Sequence, residues 1–207
     1  MSKFIDPINQ FARKVPVWVL YVLLILPIPY LFYAATQGWM GPEPINRLER
    51  EIGQLSLKLI IAGLAITPLR KYLKLNLLKF RRAIGVMAFA YVAVHLGIWV
   101  LLDMSLRFEQ MWSDILKRPY ITIGMAAFLL MIPLAVTSNN LSLRKLGAAA
   151  WRKLHKLVYL IAVLGGVHYI MVQKVWEVEP MLYLAVILGL LATRYVPMFT
   201  ARTARGT

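Results

Sequence analysis

Apolar residues fill long stretches of this chain, and polar residues gather in short breaks between them. A helix that crosses a hydrocarbon core of roughly 30 Å needs about 20 mainly apolar residues. Six stretches meet or approach that length: 17–35, 52–69, 83–102, 120–137, 154–172 and 181–196. They nearly exhaust the sequence. The pattern therefore predicts an all-α membrane protein, a bundle of six transmembrane helices forming one domain over residues 1–207. Proline marks the breaks, as its fixed φ and missing N–H lead one to expect. Pro42 and Pro44 follow the first span, Pro68 ends the second, Pro119 opens the fourth and Pro180 opens the sixth. Pro27, Pro29 and Pro133 fall inside spans and predict kinks there. Two further segments have helical periodicity. Residues 3–14 gather Phe4, Ile5, Ile8 and Phe11 on one face; residues 105–118 gather Leu106, Phe108, Met111, Trp112, Ile115 and Leu116. Each reads as a helix lying in a membrane interface or as a solvated connector. No internal repeat is evident.

Charge orients the bundle. The 24 basic and nine acidic residues give a net charge of +15. Concentrated on one soluble face, that excess would point to nucleic acid. Here it lies between apolar runs, which points to an anionic lipid surface and no nucleic-acid partner. Lys3, Arg13 and Lys14 precede the first span. Arg70, Lys71, Lys74, Lys79, Arg81 and Arg82 separate the second from the third. Arg144, Lys145, Arg152 and Lys153 separate the fourth from the fifth, and Arg194, Arg202 and Arg205 close the chain. The alternate loops hold eight of the nine acids: Glu43, Glu49, Glu51, Asp103, Glu109, Asp114, Glu177 and Glu179. The positive-inside rule then predicts that both termini face the cytoplasm. With 60% hydrophobic residues and a mean hydropathy of +0.65, no second soluble domain is expected. There is no cysteine, which excludes disulfides, iron–sulfur clusters and thiolate metal sites. The polar start, with no small-residue cleavage signal after the first apolar run, predicts a retained helix rather than a signal peptide.

The chemistry concentrates on three histidines, all within predicted spans: His95 in the third, His155 and His168 in the fifth. Ionisable groups in membrane helices are costly and turn toward partners inside the bundle. Spans three and five run in the same direction, so depths compare directly. His155 opens span five, and His168 lies about 20 Å deeper at 1.5 Å per residue. His95 reaches a similar depth in span three, so His95 and His168 can meet. Two imidazoles from facing helices are a usual grip on a haem iron in a helical bundle, and a haem between helices three and five is expected. Ala93 and Gly97 near His95, and Gly165 and Gly166 near His168, offer close approach to a flat macrocycle or ordinary helix packing. Arg81 falls at the depth of His155. It stays protonated and cannot ligate iron; Arg81 or Arg82 could pair with a haem propionate or simply carry the positive-inside signal. His155, alone or with a non-histidine partner, is the candidate for a second haem. Lys58 stands well inside span two, where it could snorkel or contact a propionate or a quinone.

A family resemblance rests on short motifs in order: Ile66-Thr67-Pro68-Leu69-Arg70, Arg81-Arg82-Ala83-Ile84-Gly85, and Tyr91 followed by His95. Lys117-Arg118-Pro119-Tyr120 and Pro133-Leu134-Ala135-Val136-Thr137-Ser138 come next. Trp151-Arg152-Lys153-Leu154-His155-Lys156-Leu157-Val158-Tyr159 and His168 complete it. Together they resemble the MsrQ (YedZ) family, haem-binding membrane subunits of bacterial periplasmic methionine sulfoxide reductase systems, within the ferric-reductase-like transmembrane group. The likeness covers essentially the whole chain. It implies a haem b protein of the bacterial inner membrane, with FMN as a further cofactor. Electrons would come from the quinone pool or a cytoplasmic flavin reductase and pass to a periplasmic molybdopterin-containing subunit that reduces methionine sulfoxide in proteins. The likeness carries ligand roles to His95, His155 and His168. Ferric reductases and NADPH oxidases have two histidines on each of two helices; here Arg81 stands at one of those places.

On this reading the chain is the electron-transfer subunit rather than the catalytic one. A competing reading is a small membrane transporter or proton-conducting protein with the histidines as relay groups, which predicts acids buried beside them. A passive anchor for a periplasmic enzyme would tolerate loss of all three histidines.

Overall fold

The computed structural model describes residues 2–173 and 175–194. Lys174, Arg202, Arg205 and the last two residues of the sixth predicted span lie outside the described residues. The elements are, in chain order, α1 (Ser2–Lys14), α2 (Val17–Ile25), α3 (Pro27–Thr36), α4 (Pro44–Leu73), α5 (Arg81–Ile98), α6 (Phe108–Lys117), α7 (Pro119–Val136), α8 (Asn140–Leu154), α9 (Leu157–Val172) and α10 (Val178–Ala192). Among the described residues there is no strand.

Proline places several boundaries and fails to place one. α4 and α7 both begin on a proline, where the missing N–H removes no bond the helix would have made. α2 and α3 are a single apolar stretch divided at Leu26, because Pro27 returns no hydrogen bond to the preceding turn. Pro133 lies inside an unbroken α7. Pro68 does not end its span: α4 runs on to Leu73 and stops only where Lys74 turns left-handed at φ 59°. One absent hydrogen bond is a local loss that a long, packed helix absorbs.

Four stretches are long and apolar enough to cross a membrane: Val17–Thr36, Pro44–Leu73, Leu78–Asp103 and Pro119–Val136. The fifth expected span is bent. α8 and α9 meet at 43°, and His155 sits in the break between them, so it closes one helix instead of opening the other. The preceding segment, expected as a basic loop, is helical: Asn139 caps α8 by accepting from the Ser142 amide at 2.7 Å. Gly147 breaks α8 at φ 76° and ψ 152°. α10 is apolar but only 15 residues long, shorter than a span of ordinary thickness requires. Length and composition therefore support four crossings, or five with the bent pair taken as one.

Two helix pairs form the frame, α4 with α5 and α7 with α9, and α10 packs on α9. Leu57, Ile60 and Leu64 of α4, Ala88 of α5, Met131 of α7, and Ile161 and Ala162 of α9 close a common core with Ile187 of α10. Phe89 and Phe128 stack across α5 and α7, with ring centres 5.8 Å apart. α2 and α3 lie against α4 and α5, where Tyr91 donates to the Leu24 carbonyl at 2.7 Å. α1 is held to the turn after α4: Asn9 donates to the Lys74 carbonyl and accepts from the Asn76 amide. α6 rests on α7 and leaves Phe108, Trp112 and Leu116 about two-thirds exposed, an i, i+4, i+8 stripe facing away from the bundle. The frame thus has an α6 end, where α4 and α7 start, and an α8 end, where they finish.

Candidate metal centre

His95 and His168 sit near the C-terminal ends of α5 and α9. Each ring reaches across to the other helix of its own pair. His95 Nδ1 is 2.9 Å from the Glu49 carbonyl oxygen on α4, and His168 Nδ1 is 2.8 Å from the Tyr120 carbonyl oxygen on α7. A carbonyl can only accept, so Nδ1 carries the proton in both rings and Nε2 keeps its lone pair. Imidazoles that bind metals are usually arranged in this way, with the far N–H donated and the ring thereby oriented.

Glycine permits the approach. Gly53 stands one helical turn after Glu49, and Gly124 one turn after Tyr120. A Cβ on Gly53 would lie 3.0 Å from His95 Nδ1 and 3.1 Å from Cε1; on Gly124 it would lie 3.0 Å from both atoms of His168. The glycines that the sequence singled out behave differently. Gly97 has open space around it and Gly166 packs against Leu184 and Ile187 of α10, while Gly165 lines the cavity beside Leu57, which a Cβ there would meet at 3.3 Å, and touches neither ring. Helix packing accounts for Gly166, and the rings rest instead on Gly53 and Gly124. Nothing in the hydropathy pattern marks those two, since each matters only because of the helix it faces. A carbonyl, a glycine one turn on and a histidine from the paired helix thus occur together twice, a structural duplication without a sequence repeat. The carbonyl-to-histidine separations are 46 and 48 residues.

The two ring centres are 6.3 Å apart and their planes cross at 82°. Metal–nitrogen bonds of about 2 Å on each side, plus the size of the rings, put the ring centres about 6 Å apart. A cavity of about 360 Å³ lies between the histidines, within the roughly 300–1,000 Å³ usual for cofactor sites. Leu57, Ile60, Phe128, Met131 and Ile161 make its apolar inner wall. Its mouth, at the α6 end, carries Glu49, Arg50, Asp103 and Arg118. Asp103 and Trp99, both lining residues, bound the π-helical turn Trp99–Asp103 that continues α5; such turns recur at functional sites. Among the described residues no cluster of three or more His, Asp or Glu could hold an ion alone. Two imidazoles with free Nε2 lone pairs, from paired helices on one cavity, are a donor set that suits a haem iron, and the residues present fit a haem.

The relay reading expected acids beside the histidines. Glu49 and Asp103 do share the cavity with His95, brought there from span edges by the ends of α4 and α5. They stop at the mouth, and the inner wall continues with apolar side chains.

The remaining candidates lie elsewhere. His155 stacks on Trp151 with ring centres 3.8 Å apart, and its Nε2 is 3.1 Å from Thr137 Oγ1. That hydroxyl donates its proton to the Pro133 carbonyl at 2.6 Å, so His155 Nε2 is the donor and Nδ1 holds the lone pair, opposite to the other two histidines. Arg81 and Arg82 are its charged neighbours, and Arg82 donates to Asn140 Oδ1 at 2.7 Å. Arg194 bonds the Leu64 carbonyl at 2.9 Å and lies over the Tyr159 ring. None of these lines the cavity of His95 and His168. Lys58 also stays outside it: its ammonium reaches Gln54 Oε1 at 3.3 Å, and Gln54 donates to the Tyr169 hydroxyl and to Glu179. The arginines that do reach the cavity are Arg50 and Arg118, which the sequence marks only as loop charges. Arg118 is held by Asp114 at 3.3 Å.

Comparison with known proteins gives the family. The profile of the ferric reductase like transmembrane component family matches residues 51–166, which include His95 and His155 and end two residues before His168. A protein-methionine-sulfoxide reductase heme-binding subunit MsrQ of Caulobacter vibrioides is 45% identical over 177 residues, covering 85% of this chain and 84% of its own. The MsrQ proteins of Rhizobium meliloti and Agrobacterium fabrum are 45% and 41% identical over 180 residues, each covering 87% of this chain and 83% of its own. No solved structure matches.

Proposed function

The chain belongs to the ferric reductase like transmembrane family, among its MsrQ heme-binding subunits, and from that premise we propose that it is a haem b electron-transfer subunit serving a periplasmic protein-methionine-sulfoxide reductase. It is a multi-pass membrane protein. The observation that carries the reading is the pair of crossed imidazoles, 6.3 Å apart, with both Nδ1 protons donated to helix carbonyls.

A haem bound there supplies one-electron iron chemistry. His95 and His168, with Nδ1 committed to carbonyls, would hold it through Nε2. The Glu49 and Tyr120 carbonyls keep each Nδ1 proton in place, so neither ring can turn its N–H toward the metal. Leu57, Ile60, Phe128, Met131 and Ile161 exclude water from the inner wall, and Arg50 and Arg118 at the mouth are the cations within reach of carboxylates on the ligand's edge. The sequence has no cysteine and so no thiol to attack a sulfoxide, which fits an electron carrier whose partner does the reduction.

We place the α6 end at the periplasm and the cation-rich α8 end at the cytoplasm, with α10 as the sixth crossing and both termini inside, in a bacterial inner membrane. The cavity then opens toward the molybdopterin-containing partner. His155, Arg81, Arg82 and Arg194 gather at the cytoplasmic end, where a second haem or the phosphate of an FMN has its basic partners and where a flavin reductase would deliver electrons. Lys58 and Gln54 are the polar groups we assign to contact with the quinone pool.

The test is haem content per protein. His95→Ala and His168→Ala are each expected to lose most of the Soret absorbance of the purified protein. Unchanged absorbance in both variants would remove the assignment. His155→Ala is expected to keep this haem, because its ring lies outside the cavity.

A further inference from the structure

Resting on that haem reading, we propose that Gly53 and Gly124, with the carbonyls of Glu49 and Tyr120, are positioning residues that hold the two axial imidazoles crosswise and so set the electronic state of the iron they share. An imidazole bound to a metal through Nε2 is otherwise free to turn about that bond. Each ring here is fixed twice: by the bond from Nδ1 to a carbonyl, and by its Nδ1–Cε1 edge lying against a glycine where a Cβ would be 3.0–3.1 Å away. The same edge is seated in both rings. Other glycines show that such contact is not general, since Gly85, Gly97 and Gly189 have nothing within 4 Å of a built Cβ.

The two seats are on different helices, α4 and α7, and the planes they impose cross at 82°. The crossing has an electronic consequence. An imidazole donates π density into the iron d orbital that lies perpendicular to its own plane. Parallel rings both act on one d orbital and split it from its partner; crossed rings act on one each and leave the pair nearly degenerate. Near-degeneracy leaves a large orbital moment on ferric low-spin iron. Its electron paramagnetic resonance then shows one dominant feature at high g, in place of the three-line rhombic spectrum of parallel rings.

The experiment uses the full-length, haem-loaded protein, read by electron paramagnetic resonance and redox titration. The unaltered protein is expected to show the single high-g feature. Gly53→Ala and Gly124→Ala each push a ring off its seat; each is expected to move that feature toward a rhombic spectrum and to shift the midpoint potential. Gly97→Ala, in open space on the same helix as His95, is expected to leave both unchanged. A rhombic spectrum from the unaltered protein overturns the proposal, as do glycine variants that keep haem, spectrum and potential. Should a glycine variant not accumulate, pulsed measurements on the unaltered protein read the ring orientations and the Nδ1 protons directly, and parallel rings there overturn it equally. Purified protein without haem would instead defeat the functional reading beneath.

Discussion

Tyr91 and His95 lie one helical turn apart on α5 and answer the same problem in different ways. Each is a polar side chain in an apolar stretch, and each finds a main-chain carbonyl on a neighbouring helix, Leu24 for the tyrosine and Glu49 for the histidine. The Glu49 carbonyl, inside α4, accepts the imidazole through its second lone pair, whereas Leu24 lies in the last turn of α2, where carbonyls lack a partner within the helix. Tyr91 is 1% exposed, so its hydroxyl has no water to fall back on. Tyr91→Phe keeps the ring and removes the bond, at a cost of about 1 kcal/mol. The expected outcome is a lower melting temperature with an unchanged Soret band, because the phenol touches α2 and not the cavity. Loss of haem in that variant would mean that α2 helps shape the centre. His155 illustrates how much a residue's partner decides. Its tautomer is set by a threonine hydroxyl whose one proton is already committed to Pro133, and sequence spacing carries no trace of that.

Helices were largely legible from the apolar runs, since each run long enough to cross a bilayer must satisfy its own backbone. The first four spans appear within a few residues of their expected places, apart from the extensions of α4 at both ends. The error at Pro68 came from reading proline as a stop when it was only a local loss. The error at residues 139–154 had the opposite cause: many basic residues look like a loop, yet Asn139 caps a helix there. Gly147 is the weak point of that helix, for its φ of 76° with ψ of 152° belongs to a region that is essentially reserved for glycine. Gly147→Ala is expected to cost roughly 1–3 kcal/mol locally. Hydrogen exchange should quicken across α8 while α5 and α9 keep their protection and the haem stays bound. Uniformly faster exchange through all helices would show that α8 is more than a peripheral element.

Across the whole molecule, the alternation of basic and acidic ends makes a topology that labelling can check, and the absence of cysteine makes single substitutions clean reporters. Glu109→Cys, exposed on α6, is expected to react with an impermeant maleimide in intact spheroplasts. Arg144→Cys, exposed on α8, should react only after the membrane is opened. The reverse pattern would invert the bundle and turn the cavity mouth toward the cytoplasm. The amino-acid order alone determined that the chain is helical and made for a bilayer, and it singled out three histidines as candidates for its chemistry. Hydropathy and side-chain titration belong to single residues and their near neighbours in sequence, so they can be read along a line. Only the tertiary structure decided that Gly53 and Gly124 seat the rings, that Arg50 and Arg118 reach the cavity while Arg81 and Lys58 do not, and that the imidazoles cross. Those facts depend on which faces of α4, α5, α7 and α9 meet, and helices bury one side or another through the summed packing of many weak apolar contacts that no local pattern records.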